Sequence, residues 1–502
     1  MTRVPRSQLL FYARYSENTG LGHVVRSAAL SAACRLRGAR TILLEQPDTP
    51  LPDFCSSLFS VVLPEARAFE AIACDNSYLV VDSYAPDKNL LGRLRNSGLQ
   101  EVWICDDLDD CPDAADFVLN ATFNPNTKFE GRAKPLLGTE FALLRPSFAA
   151  RRAKAAIREV VPTLEKIFVS LGGTDPNNLL PRLVSKLLVS GYCVTATISD
   201  LASNLETLQE ASDRAPDTFR LITNATDSEV AEEMLNADVT IGNAGSSSFE
   251  RCTLGIPTLM IIVADNQVSN AKQLVQKKAA VLAGRSQAPD IVERTLVELK
   301  RLQSDLGLRR EMSLSAFQLC DGLGAFRAAG ELIPQHSHDG RPVRLRPVTV
   351  DDSKKIYDWQ QIPETRAHSR NPKPPTWSEH LDWFENKIID PRVVFSVVNV
   401  GEVSCGVVRL DYMHHHDTRP VYEVSIFLHP DFFGKGIAAA ALRSASLLVP
   451  FADIQATVLP DNERSLHLFK AAGYVDQGGT LINPAAIEAL EDETRGMTNE
   501  RI

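Results

Sequence analysis

The 502 residues contain no run of about 18 apolar positions, so no bilayer-crossing helix and no membrane partner are expected. Basic charge is in deficit: 53 Lys and Arg against 63 Asp and Glu leave a net charge of −10, which disfavours nucleic acid as a partner. The nine cysteines are odd in number, scattered and without a CxxC pair, so buried free thiols are expected and not a disulfide framework or a zinc site. Arg3 and Arg6 precede only the short apolar stretch 9–13, too small for a signal-peptide core, and the chain is expected to stay in the cytoplasm. Internal repeats and low-complexity tracts are missing as well. What remains is an ordinary globular composition, 44% hydrophobic and 23% charged, in a chain long enough for two to four domains of about 100–200 residues.

Short apolar runs at 9–13, 41–44, 78–81, 102–105, 167–171, 194–198, 239–241 and 258–263 read as strands, alternating with helical patterns such as 25–36 and 179–189. That alternation predicts an α/β chain of parallel sheets with helices on both faces. The charged segment 146–162 is the expected seam between two Rossmann-type halves, 1–150 and 151–332, because a strand and a glycine turn restart the pattern at 167–173. A polar seam at 333–342, with two prolines and a glycine, precedes a different order. Residues 343–480 read as an α+β domain: strand 343–347, helical patterns 351–360 and 378–386, strands 393–400, 402–411 and 421–429, then a helix from Gly436. The tail 481–502 reads as loop plus one acidic helix.

Several strand-to-helix turns carry candidate chemistry. Gly20 and Gly22 allow a tight turn whose helix amides stay free for an anion, and His23 is aimed at the C-terminal edge of the sheet, where an imidazole suits general-base work. A turn closed by a capping histidine is the plain alternative. Gly172 and Gly173 repeat the turn in the second half. At 241–251, backbone amides with Ser246, Ser247 and Ser248 can hold a pyrophosphate and Glu250 suits ribose hydroxyls, unless the serines are only helix caps. In the last domain, Gly434, Lys435, Gly436, Ile437 and Ala438 let successive amides converge on a pyrophosphate, and Asn462 opens a further helix. The acidic cluster 106–110 suggests magnesium, but at a strand end a capping turn is favoured. Three adjacent histidines, 414–416, cannot all face one ion from a strand, so a solvated turn is expected there and no metal.

The segments at 20–23 with Arg26, 80–84, 105–108, 136–148, 170–176, 244–250, 265–267 and 321–325 together resemble, in that order, the UDP-sugar hydrolases of pseudaminic acid biosynthesis. The resemblance covers roughly 8–330 and implies a GT-B pair of Rossmann-type domains that hydrolyses UDP-2,4-diacetamido-2,4,6-trideoxy-β-L-altropyranose to free sugar and UDP. It implies that His23 activates water for inverting attack at the anomeric carbon, that Arg26, Tyr84, Asn266 and Gln267 join the turn residues in binding the UDP-sugar, and that no metal is used. Where that family carries an aspartate two residues after the first-strand arginine and a longer loop, this chain has Ser16 and a quick passage to Gly20.

The turn 434–438 and the helix start at Asn462 together resemble the GNAT acetyltransferases over about 343–478. By that resemblance acetyl-CoA is the co-substrate: the turn grips its pyrophosphate, the backbone of Phe427 and Leu428 holds pantetheine, and Asn462 touches the cofactor arm. Arg366 with 380–384 also looks like the amino-sugar acetyltransferase acting just before the hydrolase. Phe433 stands where that family has Arg or Gln, Phe469 where a tyrosine often protonates the thiolate, and Tyr474 reads as packing. Glu423 is either the base that deprotonates an acceptor ammonium or a structural ion pair.

Together these features imply a bifunctional enzyme that N-acetylates the 4-amino group of a UDP-4-amino-4,6-dideoxy sugar and then cleaves UDP from the product. Two other readings stand beside it: a GT-B glycosyltransferase or epimerase joined to an acetyltransferase, and a binding scaffold with a degenerate GNAT domain. The oligomeric state stays open, a homodimer included.

Overall fold

The computed structural model describes residues 7–15, 22–46, 58–72, 77–122, 129–367, 369–416 and 419–487. Three sheets organise them. The first has seven parallel strands in the order Val61–Pro64, Arg40–Glu45, Gln8–Ala13, Ser77–Asp82, Gln100–Ile104, Phe117–Asn120, Lys134–Leu137. The second has six, in the order Phe219–Thr223, Cys193–Ile198, Lys166–Ser170, Val239–Asn243, Thr258–Ile262, Ala280–Arg285. In each, the strand order reverses beside the half's first strand, the position where the crossovers part and open sheets of this kind hold ligands. The central strands are apolar on both faces, Gln8–Ala13 and Ser77–Asp82 being buried throughout, because helices cover both sides.

In these two sheets the strands that the sequence reading did not anticipate are Val61–Pro64, Phe117–Asn120, Lys134–Leu137, Phe219–Thr223 and Ala280–Arg285. Four of the five are sheet edges. Edge strands are partly solvated on one side, and Pro135 is tolerated in one of them for that reason.

The third sheet has eight strands in the order Gln335–His336, Pro342–Pro347, Val393–Val400, Val403–His416, Arg419–Leu428, Asp453–Ala456, Thr480–Asn483, Val475–Gln477. All neighbours are antiparallel except Arg419–Leu428 with Asp453–Ala456. Two expectations need correction. The tail does not begin as loop: Thr480–Asn483 is an inner strand of this sheet, with Leu481 buried, 484–487 follow as loop, and 488–502 lie outside the described residues. The histidines 414–416 are not a turn but the end of a 14-residue strand, where Tyr412 Oη and His415 Nδ1 stand 2.6 Å apart.

The seams are built structures. The segment 333–342 pairs its own ends, Gln335–His336 against Pro342–Val343, and the Arg443 guanidinium donates to Gln335 at 3.0 Å. In the seam at 146–162, Pro146–Ala156 is a helix with proline in its first turn, burying Phe148, Ala149 and Ala153. Helix Gly324–Leu332, which follows the second sheet in sequence, packs back on helix Gly22–Leu36 of the first half. The Tyr78 hydroxyl donates to Leu332 O at 2.7 Å and Arg37 donates to Ile333 O at 3.0 Å. A Cβ on Gly324 would run into the backbone of Phe141 and Ala142, so only glycine permits this approach. On the other side of that helix Phe326 meets Phe451 of the third sheet's domain, ring centroids 6.4 Å apart, and one hydrophobic core runs through both.

Asp321 sets the start of this crossing helix, accepting from Leu323 N at 3.0 Å and from the Arg327 guanidinium. Burial alone would raise its carboxyl, yet Arg327 and Arg152 hold it down at about 2. A carboxyl depressed on folding contributes stability above its unfolded value of about 4, and that contribution is lost as pH falls from about 4 towards about 2. Asp321→Asn is therefore expected to lower stability at pH 7 on the order of 1–2 kcal/mol and to flatten the acid limb of a denaturation-midpoint profile. An unchanged acid limb would remove this pair from the account.

Among the described residues Cys34, Cys105, Cys252, Cys320 and Cys405 are buried free thiols, Cys111 is half-buried, and Cys193 is exposed at the start of its strand, against the expectation of burial. No helix among the described residues is long and apolar enough to cross a membrane.

Candidate functional site

The strand-order reversal of the first sheet brings together residues far apart in sequence. His23, second residue of helix Gly22–Leu36, is buried to 5% exposure, and Asp82, last residue of strand Ser77–Asp82, to 0%. The imidazole Nδ1 is bonded to Asp82 Oδ1. Arg26, one turn along the same helix, donates to both carboxylate oxygens of Asp82, at 2.7 and 2.6 Å, and to Asp106 at 2.6 Å. Its Nη2 also lies 3.1 Å from His23 Nδ1 but directs a proton to Asp82. With Nδ1 turned to the carboxylate, a neutral imidazole protonated there would carry its lone pair on Nε2.

Burial alone would depress the Arg26 guanidinium, but Asp82 and Asp106 hold it above its ordinary value. Asp106 also accepts from the Tyr84 hydroxyl; burial and that bond push the phenol up to about 12. Although burial opposes it, Arg26 and Tyr84 keep the Asp106 carboxyl below the usual range. The Tyr84 ring stands edge-on to His23, centroids 4.6 Å apart, and Asn266 of the second half donates to its hydroxyl at 3.0 Å. The site therefore bridges both halves. Gly20 and Ser16 lie outside the described residues, and Gly22 opens the helix.

The second sheet's reversal lies between Lys166–Ser170 and Val239–Asn243. The turns after them meet: Gly172, with φ +113°, lies 3.6 Å from the Asn243 amide nitrogen by its missing Cβ, and Gly245 comes as close as 3.2 Å to Asn243 and 3.4 Å to Gln267 by the same measure. Gly173 stands against Ser199. Ser246 is exposed at the start of helix Ser247–Thr253, and Ser247 donates to Asn243 at 3.0 Å. Ser248 faces inward instead, donating to Gly245 O at 2.6 Å and accepting from Asn270 at 2.9 Å. Arg251, 1% exposed, threads beneath the turn to Asn243 O, and burial brings its guanidinium down to about 10. Gln267 accepts from Val263 N at 3.0 Å. Glu250 is ion-paired with Arg145 of the linking segment at 3.0 Å.

In the third sheet the parallel pairing of Arg419–Leu428 with Asp453–Ala456 ends at Glu423 opposite Gln455. Beyond that fork, 424–428 keep only their antiparallel neighbour among the described strands, and Phe427 and Leu428 lie in this stretch. Gly434 and Gly436 both have φ +75°, and helix Ile437–Leu448 follows. A Cβ on Gly436 would strike the His338 ring, brought there by the seam, whose amide donates to Lys435 O at 3.0 Å. Lys435 is exposed, Ile437 buried and Ala438 half-buried. Phe433 is covered by the Arg464 guanidinium 4.1 Å from its ring centroid, so a positive charge stands at the turn despite the phenylalanine. Asn462 caps helix Glu463–Ala471, accepting from Ser465 N at 3.0 Å. Phe469 and Tyr474 are buried against each other, centroids 5.0 Å apart. Glu423 sits at the fork, bound by Arg370 and accepting from Thr457 at 2.9 Å; burial opposes it, yet these partners hold its carboxyl below the usual range.

The sequence reading put His23, Arg26, Tyr84 and Asn266 in one place, and the structure brings them together; it missed Asp82, Asp106, Asn243, Arg145, Arg370 and Arg464. The signal for the first two was available, a carboxylate at the end of each of two apolar runs. Within 106–110, Asp107 caps the following turn by accepting from Asp109 N, while Asp106 belongs to the site. No group of three His, Cys, Asp or Glu among the described residues is arranged to hold a metal ion.

Two family models match parts of the chain. Residues 343–475 match the model of the acetyltransferase (GNAT) domain, and residues 194–318 that of the glycosyltransferase family 28 C-terminal domain. The chain is 22% identical over 327 residues to a spore coat polysaccharide biosynthesis protein, SpsG, of Bacillus subtilis, covering 62% of this chain and 94% of that protein. It is 21% identical over 501 residues to an uncharacterised protein of Methanocaldococcus jannaschii, MJ1062, covering 91% and 95%. The crystal structure of Acinetobacter baumannii MurG superposes with a TM-score of 0.48 at 14% identity, covering 65% of this chain and 99% of that one. The architecture is thus a GT-B-like pair of parallel-sheet domains followed by a GNAT domain.

Proposed function

We propose that the chain is a bifunctional sugar-nucleotide enzyme of pseudaminic acid-type biosynthesis. Its GNAT domain transfers acetyl from acetyl-CoA to the 4-amino group of a UDP-4-amino-4,6-dideoxy sugar, and its GT-B-like pair then hydrolyses the UDP-2,4-diacetamido-2,4,6-trideoxyhexose to free sugar and UDP. The observation that carries the reading is the buried His23–Asp82 pair at the first sheet's reversal, with Asn266 of the other half reaching the same cluster through Tyr84.

In this reading Asp82 fixes the Nδ1–H tautomer and Nε2 of His23 takes a proton from water as the oxygen attacks the anomeric carbon. The C–O bond to UDP breaks on the opposite face, giving inversion. Asn243, Gly172, Gly173, Gly245, Ser246 and Ser247 surround the departing diphosphate, whose charge backbone amides can stabilise. Glu250 reaches ribose hydroxyls only by sharing or leaving Arg145. In the GNAT domain the amides of 434–438 and the charges of Lys435 and Arg464 suit the acetyl-CoA pyrophosphate, the open strand edge at 424–428 suits pantetheine, and Asn462 serves by shaping the neighbouring helix start. Glu423 at the fork accepts the ammonium proton.

Incubation with the UDP-4-amino sugar and acetyl-CoA in 18O-labelled water tests both steps by mass spectrometry. Expected are an N-acetyl mass shift and one labelled oxygen at the anomeric carbon of the released sugar. Sugar transfer to an added acceptor with no labelled free sugar would favour a glycosyltransferase instead, and ligand binding with no product a scaffold.

A further inference from the structure

We infer that Arg370 masks Glu423 and selects for an anionic acceptor, so that the phosphate groups of the acceptor themselves uncover the base. The inference rests on the acetyl-transfer reading above and adds the means of substrate choice. Arg370 lies in the segment between helices Pro363–Arg366 and Trp377–Ile389, and both of its terminal nitrogens engage the two oxygens of Glu423. Its side chain is 66% exposed and that of Glu423 20%, so the guanidinium stands on the solvent side of the carboxylate.

Among the described residues the neighbouring charges leave Glu423 no second cation. Asp411, its cross-strand partner, is held by Lys387 at 2.8 Å and Arg409 at 2.6 Å, and Thr457 supplies only a hydroxyl. Arg370 is therefore the one charge whose departure frees Glu423 among the described residues. An incoming ammonium cannot displace it alone, because it would meet a like charge at an already neutralised carboxylate. A diphosphate on the same molecule can: guanidinium pairs bidentately with phosphate oxygens as readily as with carboxylate.

The exchange keeps charge balanced. Arg370 moves to phosphate, the ammonium takes its place at Glu423 and passes one proton to the carboxylate, and the neutral amine attacks the thioester carbonyl. The C–N bond forms, the C–S bond breaks, the thiolate leaves with the second nitrogen proton as CoA–SH, and Glu423 returns its proton to water. Arg370 is here a positioning and selecting residue.

The test is thiol release from acetyl-CoA with two acceptors, the UDP-4-amino-4,6-dideoxy sugar and the methyl glycoside of the same amino sugar, for wild type, Arg370→Ala and Arg370→Lys. Wild type is expected to prefer the nucleotide sugar. Arg370→Ala should lose about 10–100-fold in kcat/KM on the nucleotide sugar, chiefly through KM, and gain several-fold on the uncharged glycoside, while Arg370→Lys recovers part of the KM. Equal losses on both acceptors, or an unchanged preference, would overturn the inference and leave acetyl transfer standing. A wild type that binds acetyl-CoA but acetylates neither amine overturns the acetyl-transfer reading, and this inference with it.

Discussion

Asp82→Asn is expected to slow UDP release by about 10²–10⁴-fold while UDP still binds. An amide can offer its NH2 to the imidazole, which stabilises the wrong tautomer and puts the proton on Nε2, where the attacking water needs a lone pair. It also strips Arg26 of the carboxylate that it bonds at 2.6 and 2.7 Å. His23→Ala removes the base itself and is expected to abolish UDP release with binding intact, because the diphosphate contacts belong to the second half. Binding by calorimetry and release by a coupled assay separate the two terms. Near-normal turnover in His23→Ala would sink the base assignment, and near-normal turnover in Asp82→Asn would reduce Asp82 to a packing partner. Since Asp82 is fully buried, thermal unfolding of each variant distinguishes lost chemistry from lost fold.

The largest effect on stability is expected at Arg152. From helix Pro146–Ala156 it donates to Thr253 O at 3.1 Å, Phe317 O at 2.8 Å and Cys320 O at 2.9 Å in the second half, and to Pro391 O at 3.1 Å in the GNAT domain. Its guanidinium also lies 5.0 Å from the Phe317 ring centroid, and burial holds it below its ordinary value. One side chain thus ties the linking helix to two domains. Arg152→Ala strands four carbonyls at about 1–3 kcal/mol for each that stays dry; with partial rehydration the expected loss is about 3–5 kcal/mol. Arg152→Lys should recover less than half, since an ammonium lacks the planar fork that spans these acceptors. Urea denaturation and limited proteolysis at the domain seams would check it. A loss under about 1 kcal/mol, with the seams still protected, would show that water replaces the guanidinium.

The order of elements was largely legible because local periodicity encodes it. Fully buried strands such as Ser77–Asp82 read as apolar runs, whereas the edges Val61–Pro64 and Lys134–Leu137 are only partly buried and carry just two or three apolar side chains beside a proline. The strand Thr480–Asn483 escaped notice for another reason: it completes a sheet begun far earlier in the chain, and its pattern is too short to stand out.

By itself, then, the sequence determined two parallel-sheet halves, a third α+β domain, a histidine at the first strand-to-helix turn and a glycine turn before helix Ile437–Leu448. Each of these follows from neighbours in the chain: apolar spacing selects the element, and glycine permits the turn. Only the tertiary structure decided which carboxylates serve His23 and Arg26, since Asp82 and Asp106 arrive on separate strands beside the sheet's reversal. It alone decided that Arg370 covers Glu423, that Arg152 ties the second half to the GNAT domain, and that the first half and the GNAT domain share a core across helix Gly324–Leu332. Such pairings depend on which strands lie side by side and which helix crosses back, and no local periodicity carries that information.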